Sequence, residues 1–288
     1  MSATPRHARV PARQLLAYAG VIVPIAALAL PLSIFLPPLY GEALGLGVGV
    51  VGTVFVLARL WDVVTDLAMG WAIDRFPSRW GRRKHWAVLA LPLLMLASWR
   101  LYLPPDGVGP AYLGAWLFVL YVGFTLLLVT HYAWGAELTG DARERARVYG
   151  WRDTALVAGI LLSVLGPAAA EQAGWGLRGQ VGLLGVFLLV ALPLGVAALM
   201  ALPDEPHAAP PPASLRRALS AARRDPVFRA PILLDFTTGV AQGVVGATFV
   251  FAASYVYGLP QMASAVLLAN FVAAFAALPL WVRLAQRR

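Results

Sequence analysis

VVGTVFVLARLWDVVTDLAMGW, residues Val50–Trp71, is the stretch whose reading decides the fold. The run is apolar and of the length, roughly 17–25 residues, that a helix needs to cross a bilayer. Yet it carries Arg59, Asp62 and Asp66. A carboxylate at the centre of a membrane helix costs about 2.5–3.5 kcal/mol on insertion scales. Residues three and four apart share one helix face, so the three charges form a single stripe. A stripe of this kind does not face lipid. It faces other helices or a water-filled cavity, where ionisable groups handle ions or substrates.

The rest of the chain has the same apolar character. Of 288 residues, 60% are hydrophobic and 13% charged, with a mean hydropathy of +0.72. That balance belongs to an all-α polytopic membrane protein rather than to a soluble domain. About eight apolar spans are legible: Leu15–Leu36, Gly47–Ile73, Trp86–Leu103, Ala111–Trp134, Thr154–Ala170, Val181–Leu202, Ala230–Tyr257 and Ala263–Leu284. Backbone groups in lipid must be satisfied within the segment, so these spans are expected to be helices. The fifth reads as the shortest. Pro24, Pro31, Pro92, Pro167 and Pro193 predict kinks. The absence of cysteine excludes disulfides, thiolate catalysis and cysteine metal sites. No metal-ligand cluster, nucleophile–base pair or phosphate-cradling glycine loop is legible, so no catalytic residues, metal or cofactor are expected.

Basic residues orient the chain. All of the 23 except Arg59, Arg100 and Arg178 fall at the N-terminus, after the second, fourth and sixth spans, or at the C-terminus. This alternation places both termini in the cytoplasm, in what reads as a bacterial cytoplasmic membrane. It also accounts for the net charge of +9 without a nucleic-acid partner. Pro203–Pro226 is the longest polar insert, Pro-rich and then Arg-rich. Its Ser214–Arg224 stretch is either a topology-setting linker or an amphipathic helix on anionic lipid. The expected organisation is therefore a six-helix half over 1–202, a cytoplasmic linker over 203–227, and two helices of a second half over 228–288.

GWAIDRFPSRWGRRKHW, residues Gly70–Trp86, resembles the loop after the second helix in the major facilitator superfamily, with its Gly-x-x-x-Asp-Arg and Gly-Arg-Arg pattern. The preceding Arg59-Leu60-Trp61-Asp62 and Asp66 sharpen the likeness, as do Asp141–Arg147 followed by Arg152, and Arg224–Arg229. Together they resemble the glycoside–pentoside–hexuronide:cation symporters, the melibiose-carrier family. The resemblance implies two six-helix halves and cation-coupled symport of a sugar or related solute by alternating access. The chain's last residues, Pro279–Arg288, resemble the start of the second-half counterpart of the same loop. A C-terminally truncated carrier is therefore expected, four helices short. Partners would be a sugar-like small solute and membrane lipid, with no obligate protein partner identifiable. A lysolipid or amphiphile carrier of the same branch, and a non-transporting remnant or assembly partner, are the alternative readings.

In that family Asp62 and Asp66 would bind the coupling cation, with Thr65 and Arg59 beside them. Two carboxylates a turn apart repel, which favours holding a proton between them. Leu15–Leu36 contains no acid, and Thr130 stands four residues before Trp134 where the family has a sugar-binding aspartate. Those losses thin the cation site, and they favour H+ over Na+. Thr130, His131, Trp134, Arg152, Gln242 and Asn270 remain as substrate-side candidates. His131 is either a group titrating near neutrality or a neutral helix–helix contact. Gly70, Asp74, Arg75, Arg79, Gly81, Arg82 and Arg83 are expected to form a cytoplasmic gate whose ion pairs exist in one conformation and break in another. Asp235, near the cytoplasmic end of the seventh span, either snorkels towards Arg229 or acts in opening.

Overall fold

The computed structural model describes residues 9–76, 78 and 81–202, with short stretches between 229 and 273; the side chains of Asp74 and Ala142 fall outside this set. The linker and most of the last two expected spans also lie outside the described residues. The positions described there are helical.

The elements are α1 (Ala12–Gly20), α2 (Ile22–Ile34), α3 (Leu36–Pro38), a π-helical turn (Leu39–Ala43), α4 (Val48–Arg75), α5 (Lys84–Tyr102), α6 (Pro110–Glu137), α7 (Ala142–Gln172) and α8 (Leu177–Met200). Among the described residues the only strand-like pairing is an isolated bridge between Ser78 and Gly81. The expected all-α polytopic architecture is what the chain adopts. Ala12–Ile34, Val48–Ile73, Pro110–Glu137, Arg143–Gln172 and Leu177–Met200 are each long and apolar enough to cross a membrane. α5 has 19 residues, with Lys84 and Arg100 near its ends. It buries Ala87, Ala90, Leu94 and Ala97 while packing between α6 and α8.

Two local features depart from the hydropathy reading. The first span is broken between α1 and α2 at Val21. Pro24 has no N–H to offer the Gly20 carbonyl four residues back, so the ladder is interrupted there. By contrast, α5, α7 and α8 each run through their prolines, Pro92, Pro167 and Pro193. The fifth span is not the shortest: α7 has 31 residues. Its start lies in the charged stretch after the fourth span. The Asp141 carboxylate caps it by accepting the backbone N–H groups of Arg143 and Glu144 at 2.7 and 3.0 Å. Arg and Glu are good helix formers, so the helix continues where hydrophobicity stops.

α6 packs against α4 and α5, whereas α7 packs against α1, α2 and α8. The α5–α8 contacts, with a smaller set between α6 and α7, join the two groups. Membrane helices have little hydrophobic drive to associate and rely on close backbone approach at small residues. Here Gly159 of α7 lies against the Val23 carbonyl, where any Cβ would overlap it, and Gly195 of α8 lies over the Val21 backbone. The N-terminal segment is tied down by polar contacts. Val10 donates its N–H to Glu144 Oε2 at 3.3 Å, and Arg147 Nη1 donates to the Val10 carbonyl at 3.2 Å. α4 lies at the edge of the bundle, with Val56, Leu60, Val63, Val64 and Leu67 exposed along it.

Candidate cation site

The stripe on α4 meets a single hydroxyl on α6. Thr125 Oγ1 donates to Asp66 Oδ1 at 2.8 Å and lies 3.3 Å from Asp62 Oδ1. A hydroxyl has one proton, so it holds Asp66 directly and stands within reach of Asp62. The other oxygen of Asp62, Oδ2, faces Arg59 Nη1 at 3.4 Å. The Arg59 guanidinium also sits 5.2 Å from the centre of the Tyr121 ring. Trp61 stacks on Phe118 at 5.5 Å, adding an apolar α4–α6 contact beside the charges.

Arg59, Asp62 and Asp66 are therefore brought together. Thr65 is not part of that cluster: its buried hydroxyl donates to the backbone carbonyl of Asp62 at 2.9 Å, within its own helix. Thr125 and Tyr121 belong to the site and were not foreseen. Their signal is in the sequence: two polar side chains four residues apart in an apolar span lie on one helix face.

The substrate-side candidates on α6 are packed inside. Thr130, His131 and Trp134 are buried. His131 and Tyr18 of α1 clamp each other. His131 Nε2 lies 2.8 Å from the Tyr18 carbonyl, and the Tyr18 hydroxyl donates to the His131 carbonyl at 3.2 Å. The two rings stack at 4.0 Å with an angle of 11°. A carbonyl only accepts, so Nε2 carries the proton in this contact. Gly135 makes room for the Tyr18 phenol, which a Cβ there would strike. Arg152 on α7 is buried; its Nη2 donates to the Tyr132 hydroxyl at 2.6 Å and its Nη1 meets Asp153 Oδ1 at 2.8 Å. On the same helix a depression of about 400 Å3 is lined by Arg147, Gly150, Trp151 and Thr154. Gln242, Asn270 and Asp235 lie outside the described residues.

At the far end of α6 the loop arginines find an acid that was not foreseen. Arg83 is 3% exposed and grips Glu137, the last residue of α6, with two bonds: Nη2 to Oε1 at 2.6 Å and Nε to Oε2 at 3.2 Å. Arg82 Nη1 approaches the same Oε1 at 3.8 Å. Two parallel charge-assisted bonds are the strong, orientation-fixing mode of arginine–carboxylate pairing. Gly81 has φ +112°, which side-chain-bearing residues rarely adopt, and it closes a turn by exchanging backbone bonds with Ser78. The glycine of the sequence pattern is thus required by the turn. The Arg75 guanidinium lies over the Trp71 ring at 5.5 Å, and Gly70 has open space beside it. Arg79 and the Asp74 side chain lie outside the described residues. The sequence signal for Glu137 is a lone acid at the end of an apolar span, on the side expected to carry the basic loops.

Membrane-length helices, a stripe of charges on one of them that meets a buried threonine of its neighbour, and an ion-pair clasp at that neighbour's end define an integral membrane protein built for ion or solute handling rather than a simple anchor. Residues 17–288 match the family described as MFS/sugar transport protein, and the chain belongs to it. It is a family of transporters. The chain is 25% identical over 233 residues to the inner membrane symporter YicJ of Escherichia coli, covering 77% of this chain and 50% of that protein. It is 29% identical over 96 residues to the isoprimeverose transporter of Lactiplantibacillus pentosus, 33% of this chain and 20% of the relative. It is 30% identical over 115 residues to the sodium-dependent lysophosphatidylcholine symporter 1-B of Danio rerio, 38% of this chain and 21% of the relative. The chain thus spans about half the length of the first of these relatives, and less of the others.

Proposed function

We propose that the chain carries the cation site and part of the cytoplasmic gate of a secondary active transporter. That transporter couples entry of a cation, H+ rather than Na+, to movement of a sugar or related solute by alternating access in a bacterial cytoplasmic membrane. The observation that carries the reading is the Asp62–Asp66 pair bridged by Thr125 across α4 and α6. Two carboxylates at membrane depth are costly and mark ion pathways by default. Thr125 and Asp66 sit on different helices, so loading the pair changes an inter-helix contact. That is how a local charge event reaches a two-state element. The proton is favoured because few side-chain oxygens converge there and Arg59 already supplies a positive charge. The sugar-like solute is supported by the name of the isoprimeverose transporter.

Reconstituting the chain in proteoliposomes tests the reading. An inward proton gradient is expected to drive uptake of at least one member of a sugar panel, and Asp66→Asn to abolish the gradient dependence. Uptake indifferent to both gradient and substitution, or no uptake at all, would overturn it. An amphiphile carrier is the second reading, favoured by the likeness to the lysophosphatidylcholine symporter and by the absence of acids from the first span. Including lysophosphatidylcholine in the panel separates the two.

A further inference from the structure

The charge count at the candidate site is uneven. Asp62 and Asp66 bring two negative charges, Arg59 one positive. Arg59 is not locked in place: its contact to Asp62 is 3.4 Å, longer than a tight charge-assisted bond of about 2.7–2.9 Å, and its side chain is 58% exposed. In the same position its guanidinium lies over the Tyr121 ring, 5.2 Å from the centre, so the ring's negative face and Asp62 hold it together. Tyr121 itself is buried, and its hydroxyl has no hydrogen-bond partner among the described residues. An unused oxygen and a guanidinium tethered by the ring therefore adjoin the carboxylates.

We propose that Arg59 is a tethered counter-cation that sets the charge capacity of the Asp62–Asp66 pair at one, so that the pair admits a single monovalent cation and excludes divalent ones. The inference rests on the reading of the pair as a coupling site and adds its selectivity. With one monovalent cation bound, the three side chains and the ion sum to zero, the state that a membrane interior tolerates best. A divalent cation leaves an excess positive charge and meets Arg59 at close range. The Tyr121 ring keeps the guanidinium beside the pair when a proton or alkali ion takes its place on Asp62.

The test is binding of radioactive Ca2+ to the full chain in lipid nanodiscs at fixed pH, with Asp66→Asn as the blank. Wild type is expected to show no Asp66-dependent binding at millimolar Ca2+. Arg59→Gln is expected to gain it, with half-saturation lowered about tenfold or more by loss of the nearby positive charge. Arg59→Lys, which keeps the charge, should still exclude Ca2+. Asp66-dependent Ca2+ binding by wild type overturns the proposal whether or not the variants fold. So does an Arg59→Gln protein of wild-type helicity that gains none. Loss of gradient-driven uptake with Ca2+ exclusion intact would instead count against the coupling reading alone.

Discussion

The Thr125 end of α6 and the His131–Glu137 end of the same helix treat polar groups in opposite ways. Around Thr125 the charges are loosely held: contacts of 3.3 and 3.4 Å surround one short bond of 2.8 Å, and Arg59 is mostly exposed. From His131 to Glu137 the bonds are reciprocal or doubled, as in the His131–Tyr18 clamp and the Arg83–Glu137 fork. The helix that anchors α1 and the Arg82–Arg83 loop at one end offers an adjustable hydroxyl to α4 near its middle. A site that must take up and release an ion cannot be fully satisfied at rest. A brace must be.

This contrast predicts that damage to the braced end shows as lost stability, whereas damage to the open end shows as lost ion handling. The largest effect belongs to Glu137→Ala, which removes two charge-assisted bonds from the buried Arg83. Removing one partner of a buried pair costs about 3–5 kcal/mol. Thermal unfolding in detergent should show a large drop in midpoint, and a wild-type midpoint would break the contrast. His131→Ala leaves the Tyr18 carbonyl without that bond and unstacks the rings, a loss of about 1–3 kcal/mol. The same unfolding assay checks it, and the response of the carboxylate pair to ions should survive. Thr125→Val should keep stability within about 1 kcal/mol of wild type, because its partner Asp66 is exposed and the isostere fills the space of the buried threonine. Its effect belongs in ion dependence of uptake, where loss of a bond to a charged group lowers affinity about tenfold or more. Asp106→Asn, at the outer loop pair with Arg178, should be the smallest of all. Asp106 is 88% exposed, and a surface pair of this kind contributes about 0–1 kcal/mol. A shift there comparable to that of Glu137→Ala would show that the Asp106–Arg178 pair, not the Arg83–Glu137 fork, braces the bundle.

Much of the fold was legible because its signals are local. Membrane length and hydrophobicity locate the helices, and i, i+3, i+4 spacing places Arg59, Asp62 and Asp66 on one face. Gly81 was legible as part of a loop pattern, and the structure supplies its reason, a positive φ. The start of α7 was missed because a charged, capped helix extension carries no hydropathy signal. Thr65 entered the cation group on adjacency in sequence, yet its position on the helix turns the hydroxyl back to the backbone. Asp74 was the acid expected to answer the loop arginines; its side chain lies outside the described residues, and the structure adds Glu137, from a distant part of the chain, as an acid on Arg83.

Side-chain chemistry along the chain already set a bundle of membrane helices with a charged stripe within the second span. Those properties depend on side-chain hydrophobicity and helix periodicity, which neighbouring residues settle among themselves. Only the tertiary structure decided the partners: Thr125 for Asp66 across 59 residues, Tyr18 for His131 across 113, and Glu137 for Arg83 across 54. The reason is physical. Which helices lie side by side is fixed by close approach at residues such as Gly135 and Gly159, and a polar group in an apolar medium bonds to whatever that approach brings within reach.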